Sequence, residues 1–145
     1  MLFKPKKCMA LCGLALLTSV MSLPAAVQAG SLDEAVQDGK HLFMTGTFGG
    51  SGRTCNSCHT GGGTAPGRLP DGTAIPSLSN AATIFPRYNP GRGTVLTLPQ
   101  QVHNCVMGAI EGTPPAYDST EMVDLVSYLT SLSQGKPIDM GGKAE

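Results

Sequence analysis

One run of residues has types and spacing that suit a specific chemistry: Cys55-Asn56-Ser57-Cys58-His59. Two thiols three positions apart can each form a thioether with one vinyl group of a haem, and the adjacent imidazole can bind the iron as proximal ligand. A redox-active pair would be expected in a thioredoxin-like βαβ pattern, which the sequence lacks. A zinc site would need a further pair of ligands. We therefore predict one covalently bound haem c, held by Cys55, Cys58 and His59.

The composition also favours a bulky cofactor. The 145 residues include no Trp, and aromatic residues make up only 5%, so side chains alone provide little aromatic core. Nineteen Gly and eleven Pro predict long connecting loops. The ten basic residues balance the ten acidic ones, which argues against a nucleic-acid-binding protein. A haem enclosed by loops accounts for these features together.

The N-terminal segment has the three parts of a secretory signal peptide. Residues 1–7 contain three lysines, residues 8–23 are mostly apolar, and small residues lead up to Ala29. An uncleaved membrane anchor is the alternative, although the apolar run is shorter than the roughly 20 residues that span a bilayer. We predict cleavage after Ala29, export to the periplasm, no membrane span in the mature chain, and one domain over residues 30–145.

Helix-capping signals and apolar residues at helical spacing predict three main helices. The predicted helices are residues 31–44, 98–111 and 119–134. More than fifty residues between the first two show little periodicity, and we interpret them as Gly/Pro-rich loops wrapped around the haem. Residues 136–145 are predicted to form a mobile tail. The expected fold class is all-α.

The motif does not identify the residue that provides the sixth ligand of the iron. The side chains that offer sulfur or imidazole are His41, Met44, His103, Cys105, Met107, Met122 and Met140. At 100° per residue, Cys105 lies about 60° from the centre of the apolar stripe of helix 98–111, and Met107 lies about 140° from it. A lone cysteine is unusual in an exported protein. We predict Cys105 as the ligand, with Met107 as the alternative; a small buried hydrophobe is the other interpretation of Cys105.

A proximal histidine usually donates its second ring nitrogen to a fixed acceptor. The loop that follows the pentapeptide offers the backbone carbonyls of Pro66 and Pro70. Either is a candidate acceptor for His59, and each also fits an ordinary turn.

Several stretches resemble class I cytochrome c: Gly39-Lys40-His41-Leu42-Phe43, the pentapeptide, and Leu125-Val126-Ser127-Tyr128-Leu129. In that fold a small Gly lets the N- and C-terminal helices cross closely. More specifically, the chain resembles the haem domain shared by thiosulfate dehydrogenase and the A subunit of the Sox thiosulfate-oxidising cytochrome. That resemblance rests on the pentapeptide with Gly63-Thr64-Ala65-Pro66, on Phe85-Pro86-Arg87-Tyr88, on residues 93–98, on Cys105, on Gly112-Thr113-Pro114 and on residues 119–122. It implies a class I cytochrome c fold with Cys105 as the distal haem ligand, on the side where sulfur substrates are handled.

The chain departs from that family in two respects. The family commonly carries Arg-Ile-Asn-x-Cys before the ligand, whereas this chain has Gln101-Val102-His103-Asn104-Cys105. The missing Arg weakens the case for binding a sulfur anion. The family also usually pairs this domain with a second haem or a partner subunit. Only one C-x-x-C-H is present here, so a redox partner protein, such as a second cytochrome subunit, is expected to accept the electrons.

Three functions follow from these features. The favoured one is an exported mono-haem electron carrier or electron-transfer subunit in thiosulfate oxidation or a respiratory chain, because fold alone does not grant catalysis. The alternative is a catalytic haem subunit that oxidises thiosulfate or a related anion beside Cys105. Its anion would be bound by Arg68, Arg87 or Arg92, each of which also suits a haem propionate. A sensor whose sixth ligand dissociates is the third hypothesis.

Overall fold

The computed structural model describes residues 30–145, which form helices and four short strands. The predicted signal peptide, residues 1–29, lies outside the described residues. The helices are α1 (Leu32–Thr45), α2 (Cys55–Cys58), α3 (Ala81–Ile84), α4 (Leu98–Cys105) and α5 (Thr120–Ser131). The strands are β1 (Gly67–Arg68), β2 (Ala74–Ile75), β3 (Arg87–Asn89) and β4 (Thr94–Leu96). In the part of the chain that is described, no helix is both long enough and apolar enough to cross a membrane.

The core forms where α1 packs against α5. The rings of Phe43 in α1 and Tyr128 in α5 meet edge to face, with centroids 5.4 Å apart, an arrangement that aromatic pairs prefer. The buried core residues are Phe43, Ala81, Leu98, Val102, Met122, Leu125, Tyr128 and Leu129. Met122, one of the candidate sixth ligands, is thus a packing residue of α5.

The predicted capping signals are confirmed at the first and third main helices. The Ser31 N–H donates to the Glu34 carboxylate at 2.6 Å, and the Glu34 N–H donates to Ser31 Oγ at 3.2 Å. At α5 the Ser119 hydroxyl accepts the Met122 N–H. These signals act between residues three apart, so they depend on local sequence alone.

The all-α description is incomplete, because two small antiparallel ladders occupy the segment expected to be loop. In one, β1 pairs with β2 with Arg68 opposite Ala74; in the other, β3 pairs with β4 with Tyr88 opposite Val95. Strands this short have too few residues to show a period of two. The local sequence signal for these strands is the type of residue in the connecting turns, such as Asp71-Gly72 between β1 and β2.

The second main helix is not a regular α-helix over residues 98–111. It is α-helical through Cys105 and continues as one π-helical turn, Val106–Ile110. Glu111 ends it in the left-handed conformation, with φ of 62°. Gly112 follows, where a Cβ would stand 2.7 Å from the Phe48 carbonyl oxygen, so a glycine is needed at this close approach.

The C-terminal segment, expected to be mobile, is hydrogen-bonded to the α3 region. The backbone N–H groups of Asp139 and Gly141 donate to the carbonyls of Thr83 and Ile84, both at 2.9 Å. The Asn80 side chain donates to the Lys143 carbonyl at 2.8 Å. The segment contacts the α3 region mainly through backbone groups. Such contacts cannot be predicted from residue types, because every residue carries the same backbone groups.

Candidate haem site

The pentapeptide forms the single turn α2 followed by His59. The His59 N–H donates to the Cys55 carbonyl at 2.9 Å, and Ser57 Oγ accepts the Thr54 N–H at 2.9 Å. Gly67 of β1 lies so close that a Cβ there would overlap the Cys58 carbonyl oxygen. The turn is therefore held between its own hydrogen bonds and β1, which fixes the directions of its two thiols and its imidazole.

All three of these side chains line a cavity of about 640 Å³, a volume typical of pockets that hold sizeable ligands. The cavity lies beside the α1–α5 core. Its walls are largely apolar, and the apolar side chains that form them include Phe43, Leu69, Ile75, Leu78, Ile84, Leu98, Val102, Leu125 and Leu129.

Cys105 lines the same cavity from the end of α4. The Gln101 side-chain amide donates a hydrogen bond to Cys105 Sγ at 3.3 Å. Burial raises the pKa of the Cys105 thiol, while this hydrogen bond acts in the opposite direction. Both thiols of the pentapeptide line the cavity together with Cys105.

The other sulfur and imidazole groups that the sequence offered lie away from the cavity. Met107 is 47% exposed and Met140 is 68% exposed. His103 stacks on Tyr117, with ring centroids 5.0 Å apart, and His41 hydrogen-bonds Thr45. Met44 is also exposed. Of these candidates, within residues 30–145, Cys105 is the one that lines the cavity with the pentapeptide.

His59 is half-buried, and the loss of solvent around its ring lowers its pKa, so its neutral form is favoured. Its Nδ1 atom has no hydrogen-bond partner among the described residues. The Pro66 carbonyl accepts from Thr60 Oγ1 at 2.9 Å instead of from His59. Pro70 lines the cavity. The acceptor expected at Pro66 is thus engaged by a neighbouring side chain.

Burial favours the protonated form of the Cys55 thiol at neutral pH. Burial raises its pKa to about 12, with the nearby Cys105 as a further cause. Three sulfur groups therefore converge on one apolar space, and the structure contains no disulfide among the described cysteines. Such thiols are available for bonds to a ligand that enters the cavity.

Arg53 also lines the cavity, although no motif in the sequence indicates it. Its Nε atom donates to the Ala109 carbonyl at 2.7 Å, and a terminal nitrogen pairs with the Glu111 carboxylate at 2.8 Å. The Ser51 N–H also donates to the Ile110 carbonyl. The segment that precedes α2 is thereby tied to the π-helical turn after Cys105. No local signal marks this contact, because its partners are 56 to 58 residues apart.

The three arginines proposed as anion ligands do not form one group. Arg68 is exposed and donates to the Gly72 carbonyl at 3.0 Å. Arg87 and Arg92 line the cavity, and the Arg87 guanidinium lies 5.2 Å from the centre of the Phe85 ring. Arg87 and Arg92 are therefore the two that remain able to face an anionic group in the cavity.

Comparison with known proteins places this geometry in a family context. Residues 38–138 match the family model described as SoxA/TsdA, cytochrome c domain. The thiosulfate dehydrogenase of Allochromatium vinosum is 30% identical over 135 residues, covering 83% of this chain and 46% of that protein. The L-cysteine S-thiosulfotransferase subunit SoxA of Pseudaminobacter salicylatoxidans is 24% identical over 106 residues, covering 73% of this chain and 32% of that protein. The chain thus spans less than half the length of these relatives.

Two solved structures share the fold. Thiosulfate dehydrogenase (TsdBA) from Marichromatium purpuratum matches with a TM-score of 0.60 and 23% identity, over 82% of this chain and 26% of that chain. SoxXA from P. pantotrophus matches with a TM-score of 0.57 and 21% identity, over 73% of this chain and 35% of that chain.

Proposed function

Because the chain belongs to the SoxA/TsdA cytochrome c domain family, we propose that it is an exported mono-haem c-type cytochrome that transfers electrons in thiosulfate oxidation. We propose that His59 and Cys105 would hold its iron. One observation carries the proposal: the lone Cys105 lines the same apolar cavity as Cys55, Cys58 and His59.

A cytochrome c domain of this family carries a covalently bound haem c, and the residues of the cavity fit it. Two thiols lie on one turn beside an apolar space, and partial burial favours the neutral His59 imidazole, which is the form that binds a metal. When bound, the haem supplies a one-electron couple between ferric and ferrous iron.

Each proposed residue has a distinct role in holding that group. The Cys55 and Cys58 thiols would each hold the haem through one thioether, with the thiol proton taken up by the vinyl group. The His59 imidazole and the Cys105 sulfur, the latter as thiolate, would hold the iron. An anionic thiolate donates charge and stabilises ferric iron, so we expect a low reduction potential.

The electrons require a partner, because the chain has a single C-x-x-C-H. The solved structures that share the fold are TsdBA and SoxXA, and by analogy we propose a second cytochrome subunit as the redox partner. The predicted signal peptide, residues 1–29, supports a periplasmic location.

A second candidate function is oxidation of thiosulfate or a related anion at the Cys105 side of the haem. Relatives named thiosulfate dehydrogenase favour it, and Arg87 and Arg92 line the cavity. Against it, the hydrogen-bond donor to the Cys105 sulfur is the neutral amide of Gln101 rather than a cation. Electron transfer therefore remains the favoured function.

Spectroscopy of the purified holoprotein tests the proposal. We expect the ferric protein to show the spectrum of a thiolate-ligated haem, with no near-infrared band of Met ligation. Cys105→Met is expected to create that band and raise the potential, since a thioether favours ferrous iron. Met107→Ala is the matched control and is expected to change neither property.

The opposite pattern would overturn the ligand assignment. If the unmutated protein shows the Met band, Met107→Ala removes it and Cys105→Ala leaves the spectrum intact, then Met107 is the ligand. Added thiosulfate separates the two functions: reduction of the haem by thiosulfate at catalytic turnover rates, with an electron acceptor present, supports the enzyme.

A further inference from the structure

Gln101 and Cys105 are neighbours on one face of α4. They are four residues apart, the spacing at which helical side chains meet, and both line the cavity. The Gln101 Nε2 atom donates to Cys105 Sγ at 3.3 Å. Among the described residues, it is the one hydrogen-bond donor recorded for that sulfur.

We propose that Gln101 is a positioning residue that directs the Cys105 sulfur toward the iron and sets how strongly that sulfur donates charge. The inference rests on the proposed function, in which Cys105 is the distal ligand. It adds a residue that the C-x-x-C-H motif does not contain.

The physical argument concerns the electron density on the sulfur. Hydrogen bonds to a ligating sulfur belong to the outer shell that tunes a metal site and its reduction potential. An N–H that donates to a thiolate draws charge toward the proton, so the sulfur donates less to the iron. Ferric iron is then stabilised less, and the potential lies higher than for an unbonded thiolate.

The same bond restrains the direction of the sulfur. Gln101 is fixed at its backbone, where its N–H donates to the Thr97 carbonyl at 3.0 Å. The regular α-helix ends at Cys105 and the π-helical turn begins at the next residue. The hydrogen bond from the Gln101 side chain therefore comes from the regular part of α4. It restrains the Cys105 sulfur at the point where the α-helix changes to the π-helical turn.

Three substitutions of Gln101 in the full-length holoprotein separate this role from simple packing. Gln101→Leu keeps much of the volume and removes the donor. Gln101→Asn keeps the amide but shortens the side chain by one methylene, so it no longer reaches the sulfur. Gln101→Glu replaces the donor with a carboxylate. Gln134→Leu, at an exposed position beyond α5, is the matched control.

The measured quantities are the midpoint potential in a dithionite titration, the ferric electron paramagnetic resonance spectrum and the thermal midpoint. We expect Gln101→Leu and Gln101→Asn to lower the potential and shift the ferric signals. We expect Gln101→Glu to lower the potential further, because its negative charge favours ferric iron. Gln134→Leu should match the unmutated protein in all three measurements.

A purely structural role would move the thermal midpoint while the potential and the ferric signals stay unchanged, and that result would overturn the inference. If Gln101→Leu fails to fold, Gln101→Asn gives the same comparison.

Cys105→Ala in the same series identifies which proposal has failed. If it leaves the ferric spectrum unchanged, Cys105 is not the ligand and both proposals fall. If it alters the spectrum while the Gln101 variants do not, only the role of Gln101 is wrong.

Discussion

Gly39 of α1 lies directly against the backbone of Asp124 in α5. A Cβ at Gly39 would overlap the Asp124 carbonyl oxygen and would stand 2.9 Å from the Tyr128 Cβ. The two helices therefore cross with their backbones in contact, and this close approach brings Phe43 and Tyr128 together. The resemblance to class I cytochrome c implied such a Gly at the crossing.

We expect Gly39→Ala to lower the free energy of unfolding by at least about 2 kcal/mol, because a backbone carbonyl cannot move aside as a side chain can. Denaturant unfolding of the holoprotein measures the change. Gly91→Ala is the control, since a Cβ there meets only Asn89 Oδ1, at 3.4 Å. Equal stability of the two variants would contradict the close crossing.

Arg53 should contribute more through its hydrogen bond to Ala109 than through its ion pair with Glu111. The pair is partly exposed, and such pairs contribute about 0–1 kcal/mol. Arg53→Met also leaves the Ala109 carbonyl without its donor, so we expect a loss of about 1–3 kcal/mol in the free energy of unfolding. Glu111→Gln isolates the ion pair and should cost less. A larger loss for Glu111→Gln than for Arg53→Met would reverse this ranking.

The Tyr128 hydroxyl connects α5 to the loop that follows His59. It is buried and donates to the Gly62 carbonyl at 2.7 Å. Tyr128→Phe removes the donor and leaves that carbonyl unsatisfied, so we expect a loss of about 1–3 kcal/mol in the free energy of unfolding. Tyr88→Phe, at a residue that is 62% exposed, should change it by less than about 0.5 kcal/mol. Chemical denaturation of both variants makes the comparison.

Tyr128 should also make stability depend on alkaline pH. Burial raises its pKa above the ordinary value of 10.0, so the unfolded chain releases this proton at a lower pH than the folded protein does. The stabilisation is fully present below that value and is lost as the pH rises through the folded pKa. We expect the unmutated protein to lose stability more steeply than Tyr128→Phe above pH about 10. Parallel slopes in urea unfolding across that range would contradict this assignment.

Attachment of the haem should be required for folding. The cavity of about 640 Å³ would otherwise expose apolar side chains or collapse, at a cost that rises with cavity volume. We expect Cys55→Ala with Cys58→Ala to yield a largely unfolded or degraded product. Cys105→Ala keeps both thioethers and should retain the haem mass and a cooperative thermal transition. Mass spectrometry and circular dichroism report the two properties, and a near-native transition in the double variant would disprove the requirement.

The sequence predicted those features that depend on neighbouring residues. The Ser31–Glu34 capping box, the Ser119 cap and the apolar stripe of α5 each act within one or two helical turns, and the structure contains all three. The spacing of the pentapeptide likewise identified the attachment of haem c. Local hydrogen bonds and helical periodicity depend on residues close together in the sequence, so they can be predicted without the tertiary structure.

Other features arise from contacts between distant segments, and only the tertiary structure decided them. Three such contacts join segments 56 or more residues apart: the hydrogen bond from Arg53 to Ala109, the close approach of Gly112 to Phe48, and the hydrogen bonds from the C-terminal segment to α3. The π-helical turn after Cys105 also cannot be predicted from a helical wheel, because the wheel assumes a constant 100° per residue. The residue types allow many such contacts, and packing of the whole chain selects among them because backbone groups of any residue can serve as partners.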